Sequence, residues 1–246
     1  MSGPSRLSPC RAPPGINEHA WSLLAPELRK TRVSAGQRVR TWDSEPALTL
    51  FPVSLLLSFV SPQSGVEILS LGAGGASVPD LLLGSDALGL DAVVTVEGEA
   101  WSIPSFILRQ LAGEHPSVHE AMLAQCRVAL REAVRHAEER TRSLQISNLA
   151  RWLSRAVALT GQASFALTHE TLARLLGTRR TSVTEGLAYL ADRRFLLIGR
   201  RWITVIDAAG LERQGRAARG GQALPDPAEK RPPVQTHNPP LGGDVC

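Results

Sequence analysis

The stretch Leu167-Thr-His-Glu-Thr-Leu-Ala-Arg-Leu-Leu-Gly-Thr-Arg-Arg-Thr-Ser-Val-Thr-Glu-Gly-Leu-Ala-Tyr-Leu190 reads as two short helices joined by one tight turn. Thr168 suits an N-cap, and Glu170 brings negative charge to the first turn, where the helix dipole favours it. Leu172, Leu175 and Leu176 make one apolar face. Gly177 ends the helix, because a left-handed residue there turns the chain sharply. Thr178 is placed to cap the next helix, along which Val183, Leu187 and Leu190 recur at helical spacing. Ala173 lies four residues before Gly177 and Val183 six after it. Two tightly crossed helices need that order: a small residue for close approach, a glycine for the turn, an aliphatic one to pack behind it.

The second helix opens on Arg179, Arg180, Thr181, Ser182 and Thr184. A major-groove reader needs long cations and short hydroxyls there, for guanine edges, phosphates and either base type, and the helix N-terminus itself favours phosphate. Glu185 could accept from cytosine N4 or stand as a solvated charge. Two β-prone runs then flank Gly199-Arg200-Arg201, which predicts a hairpin wing with cations at its tip, facing backbone phosphates. The candidate DNA-contacting residues are therefore Thr168, Thr178, Arg179, Arg180, Thr181, Ser182, Thr184, Glu185, Arg200 and Arg201.

Charge agrees with this reading. Between Thr41 and Leu108 there is no Lys, Arg or His, and there are eight acids; between Thr141 and Arg219 there are thirteen arginines against five acids. A basic half joined to an acidic one points the basic half at a polyanion. Cys10, Cys126 and Cys246 are too scattered for a disulfide framework or a metal site, so neither metal nor cofactor is expected. The N-terminus has no apolar signal-like run, and Leu48–Val60 is interrupted by Pro52, Ser54 and Ser58. A cytoplasmic protein without membrane spans is expected.

Working outward, residues 1–16 are Pro-rich and predicted disordered. A short helical pattern covers Asn17–Lys30. Short β-prone runs follow, at Val39–Trp42, Leu55–Val60, Val66–Leu71 and Ala92–Val96, separated by Gly, Pro, Ser and Asp. Residues 17–114 are therefore read as a small β domain. A long helix is predicted over 115–142, with Pro116 near its start. It carries two apolar stripes, so one can pack on its own β domain and the other on a partner helix. Val118, Met122, Cys126, Ala129 and Ala133 are assigned to the partner, making a homodimer; Leu123, Leu130, Val134 and Ala137 form the second stripe. Residues 143–212, with a helix near Leu144–Leu159, form the DNA-reading domain. Residues 213–246 are predicted to be a disordered tail.

This order of parts resembles the Crp/Fnr superfamily of bacterial regulators. The resemblance is strongest in Leu167–Gly177, Arg180-Thr-Ser-Val-Thr184 and Ile203–Leu211, and weaker in Ser34-Ala-Gly-Gln37, Phe51-Pro-Val-Ser54 and Val78-Pro-Asp-Leu-Leu-Leu-Gly84. It implies an α+β chain: an N-terminal cyclic-nucleotide-binding-like β-roll, a dimerisation helix, and a C-terminal winged helix-turn-helix. It also implies transcription regulation on near-palindromic operators, with RNA polymerase as a candidate further partner. Cyclic-nucleotide binders of this family place Gly-Glu and then an Arg-Ser/Thr pair in the roll. Here Gly75–Asp91 has no arginine, so the effector is unknown and a cyclic nucleotide is not expected. Three cysteines are too few for a four-thiolate iron–sulfur cluster, and scattered histidines do not suggest haem. No enzymatic activity is expected. The alternative is an S-adenosylmethionine-dependent methyltransferase-like enzyme using the Gly72–Gly75 loop, which follows a strand and precedes Asp91. That loop requires a following helix, and Pro79, Gly84 and Gly89 interrupt the segment.

Overall fold

The structure is a computed structural model that describes residues 12–13, 15–39, 47–78, 89–142 and 145–216. Of the predicted disordered residues 1–16, Ala12, Pro13, Gly15 and Ile16 are described and correct that bound: Ile16 is buried in the core beside α1, with its N–H donated to the Pro13 carbonyl. The rest of that segment, nearly all of the tail, and the Pro79–Gly84 part of the weaker resemblance lie outside the described residues. The chain opens with α1 (Glu18–Leu24), capped by the Asn17 side chain, which accepts from Ala20 N. The expected run to Lys30 is cut short because Pro26 sits in a 3-10 turn, after which β1 (Arg29–Val33) is extended.

The strands β2 (Arg38–Val39), β3 (Leu48–Pro52), β4 (Leu56–Val60), β5 (Glu67–Leu71), β6 (Asp91–Val96) and β7 (Gly98–Pro104) form two sheets, ordered β1-β7-β3 and β2-β6-β4-β5. All of their pairings are antiparallel. Leu50, Leu57, Phe59, Leu69, Val94 and Ala100, drawn from both sheets, share one core. All five residues of β4 are buried, against the usual one-sided alternation. Its two faces serve different cores. Leu57 and Phe59 point into the roll, whereas Leu56 and Val60 join the core of the C-terminal domain.

The structure corrects the charge map of this domain. β1 and β2 belong to the roll and bring cations to its acids: Lys30 pairs with Glu99 at 2.8 Å, Arg38 with Asp91 at 3.2 Å and Arg32 with Glu97 at 3.6 Å. The roll is therefore not a field of unpaired acids. The pairs are exposed and contribute little to stability individually.

Helix α2 (Ser105–Glu114), not anticipated from the sequence, continues directly from β7 and ends at His115. Pro116 then occupies the first position of α3 (Pro116–Arg142), as its missing N–H allows. The stripe of α3 assigned to a partner is packed within the chain instead. Val118 and Met122 are fully buried against α1, α2 and the roll, and Ala129 and Ala133 pack on the roll core. Cys126 is partly buried beside them. Small and medium side chains let the helix lie close to its own sheet, so this stripe is spent within the protomer. Leu123, Leu130 and Val134 are 42%, 65% and 52% exposed, and Ala137 is exposed with them.

Helix α4 (Gln145–Thr160) begins the C-terminal domain, ending just before Gly161 as its sequence suggested. It is followed by β8 (Ser164–Phe165), α5 (His169–Leu176), α6 (Arg180–Asp192), β9 (Leu196–Gly199), β10 (Trp202–Val205) and α7 (Ala208–Arg216). The last three strands form a sheet ordered β8-β10-β9. The helix α7 overturns part of the predicted tail: residues through Arg216 are helical, with Leu211 fully buried. No helix among the described residues is long and apolar enough to cross a membrane.

Candidate nucleic-acid interface

The turn between α5 and α6 has the geometry its residues require. Thr168 Oγ1 accepts from Thr171 N at 3.0 Å, capping α5. Gly177 closes the helix at φ 63° and ψ 37°, donating to the Ala173 and Arg174 carbonyls. An added Cβ at Gly177 would stand 3.0 Å from Val66 of the roll, so both conformation and space select glycine. Ala173, Val183, Leu187 and Leu190 are buried at the crossing of the two helices, and Gly186 is buried against Leu149 of α4.

Packing on that side turns the rest of α6 outward. Arg179, Arg180, Thr181, Thr184 and Glu185 are exposed, and Ser182 is partly so. Thr178 does not cap α6. The N-cap is Arg179, without a side-chain cap bond, and the Thr178 hydroxyl is buried one residue earlier without a hydrogen-bond partner. The N–H groups of the first turn are thus left without the side-chain cap that a threonine would supply. Thr184 has a bracing role that its residue type did not reveal. Its hydroxyl donates to the Arg180 carbonyl at 3.0 Å and so accepts from His169 Nδ1 at 3.0 Å, tying α6 to the start of α5. Arg200 and Arg201 form the two-residue tip between β9 and β10, both exposed, with Arg201 at φ 78°. Among the described residues, none of Arg179, Arg180, Arg200 and Arg201 is paired with an acid. The surface is thus an edge of free cations on a rigid support.

Residues 147–214 match the family described as the Crp-like helix-turn-helix domain. Several solved structures share the architecture beyond that segment. A Crp/Fnr-family transcriptional regulator from Eubacterium rectale aligns with TM-score 0.61 and 18% identity, over 81% of this chain and 95% of its own. A CRP-family transcriptional regulator of Thermus thermophilus aligns at 0.58 and 17%, over 76% and 96%. FixK2 of Bradyrhizobium japonicum aligns at 0.58 and 16%, over 80% and 99%. The chain has the fold of the Crp/Fnr transcription regulators. No curated protein sequence matches it.

Within this Crp/Fnr fold the methyltransferase reading fails on geometry. β5, the strand before the glycine loop, runs antiparallel to β4, whereas a dinucleotide-type loop sits in a parallel strand–helix–strand unit. The loop has a different task. Ala73 N donates to the Leu159 carbonyl at 2.8 Å, and a Cβ on Gly72 would fall 2.6 Å from that same oxygen. Gly72 is where the roll touches the end of α4.

Sequence reasoning also missed a polar junction between the two parts of the chain. Glu67 on β5 is fully buried, accepting from Ser58 Oγ at 2.5 Å and from Trp152 Nε1 of α4 at 3.2 Å. Thr95 Oγ1 donates to Ser58 at 2.6 Å behind it. From α3, His136 Nδ1 faces Glu67 at 3.9 Å, and its Nε2 accepts from Arg155 of α4. Burial holds the Glu67 carboxyl above its ordinary range, opposed in part by the Ser58 and Trp152 hydrogen bonds and by the Arg155 charge. No local motif announces this cluster, because Glu67 and Trp152 are 85 residues apart.

Proposed function

We propose that this chain is a sequence-specific, double-stranded-DNA-binding transcription regulator that acts as a homodimer on near-palindromic operators. One observation supports it above the others: α6 presents Arg179, Arg180, Thr181 and Thr184 to solvent at its N-terminal end while Val183, Leu187 and Leu190 anchor its opposite face. A helix held this way enters the major groove head first. Arg180 is the best candidate for a guanine edge, and Arg200 and Arg201 meet phosphates from the wing.

The homodimer is assigned to the outward stripe of α3. Leu123, Leu130, Val134 and Ala137 are separated by seven, four and three residues in turn, the spacing of a helix-pair seam. Pairing along it sets two α6 helices about 34 Å apart, one duplex turn. Leu130→Asp tests this directly: sedimentation of the variant as a monomer is the expected result, and an undisturbed dimer places the seam elsewhere. The effector, if the roll takes one, is not a cyclic nucleotide, since Gly75–Asp91 supplies no cation for its phosphate; calorimetry with cAMP and cGMP showing micromolar binding contradicts this.

The decisive experiment is selection of bound sequences from a random duplex pool, followed by gel shifts across a salt series. A two-fold-symmetric site and a steep loss of affinity with salt are expected. Purified protein that ignores duplexes in dilute buffer defeats the reading.

A further inference from the structure

The wing carries more than its two arginines. In the hairpin register Trp202 pairs with Gly199, and Thr204 with Leu197. Ile203 and Val205 point into the domain core, so Trp202, Thr204 and Leu197 share the opposite face. Trp202 is 50% exposed, whereas Trp21 and Trp152 are buried and Trp101 is partly covered. Leu197, on the same face, is 61% exposed, so the wing carries a small apolar patch and not a single exposed ring.

Trp202 directly follows Arg200 and Arg201, and no acid occurs between Phe195 and Ile206. Arg201 holds a left-handed backbone that a glycine would adopt without strain, so the tip keeps a cation where conformation alone favours none. Arginines flanking an exposed apolar wedge are the combination with which proteins enter a minor groove, the cations on phosphates and the apolar group against sugars and base edges.

We propose that Trp202 is an apolar duplex contact, packing its indole into the minor groove beside the site addressed by α6, with Arg200 and Arg201 on the adjoining phosphates. This rests on the DNA-binding reading and adds a residue that reads groove shape instead of charge. The unbroken positive charge of the tip favours a polyanion over a protein surface.

The test uses the full chain and the selected operator duplex, with binding measured across a salt series. Trp202→Ala should lower affinity roughly tenfold per protomer while leaving the salt slope unchanged, because an indole displaces no counterion. Trp202→Phe should retain most of the affinity. Arg201→Ala should instead reduce the slope, by about one. Hydroxyl-radical footprinting should show protected sugars flanking the α6 site in the wild type and exposed ones in Trp202→Ala. Wild-type-like binding by Trp202→Ala, or a wild-type footprint without that flanking protection, overturns the proposal while leaving the DNA-binding reading intact. If Trp202→Ala fails to fold, the wild-type footprint and Trp202→Phe still decide. Absence of any duplex binding removes both readings.

Discussion

At the junction of the roll, α3 and α4, polar side chains are buried and answer one another; at the head of α6 and the wing tip the cations are exposed and, among the described residues, have no acid beside them. Glu67 has Ser58, Trp152 and His136 around it, with Arg155 behind the imidazole. Arg180, Arg200 and Arg201 have water. The difference separates what fixes the reading head from what reads. A buried carboxyl without partners is costly, so its position is tightly prescribed. A free guanidinium on a packed helix costs little to hold and is available to a phosphate or a base.

The contrast can be broken from the buried side first. Glu67→Ala strands the Trp152 N–H, the Ser58 hydroxyl and the Arg155 charge, and should destabilise the fold by about 3–5 kcal/mol, read by urea denaturation. A loss under about 1 kcal/mol means the cluster is wet and loosely held. From the exposed side, Arg180→Ala should leave the melting temperature unchanged and weaken operator binding by about 1–3 kcal/mol, mainly at one base position. Equal loss on all sequences makes it a phosphate contact. Gly177→Ala strikes both regions, since φ 63° is imposed on it and Val66 of the roll stands 3.0 Å from the new methyl; about 1–2 kcal/mol of stability should go.

The smallest effect is the most diagnostic. Burial raises the folded-state pKa of Glu67, so its favourable contribution is complete below the ordinary carboxylate range and fades as pH rises through the raised value. Acid therefore does not undo this junction. Glu67→Gln keeps an acceptor for Trp152 and removes the ionisable group. It should melt at nearly the wild-type temperature at low pH and at an equal or higher one at neutral pH. A variant whose melting shows the wild-type pH dependence rules out Glu67 as its source.

Local rules recover what local chemistry dictates. Thr168, Gly177 and the apolar spacing of Val183, Leu187 and Leu190 specify the two crossed helices without help from elsewhere, and Gly199-Arg200-Arg201 marks the wing tip. What escaped depends on residues far apart. The stripe of α3 that turns inward is chosen by the roll beneath it, and periodicity alone weighs both stripes equally. Lys30 reads as the end of a helix, but Pro26 ends that helix early and Glu99 receives Lys30 across the sheet. Glu67 falls in a β-prone run and does begin β5, but its partners lie on β4, α3 and α4, beyond the reach of a local pattern. The N-cap of α6 moved by one residue, within the ordinary latitude of helix ends.

Leu56 and Val60 of the roll sit in one core with Leu153, Phe165 and Leu172 of the C-terminal unit. Such a unit is no cassette. Grafted onto another regulator it would arrive with a bare greasy flank, and the roll left behind would show a matching wound, so a working chimera must carry β4 across with the helices. Inheritance should follow the same rule, with changes in Leu56 or Val60 tracking changes in α4 and α5 more closely than those inside the roll itself.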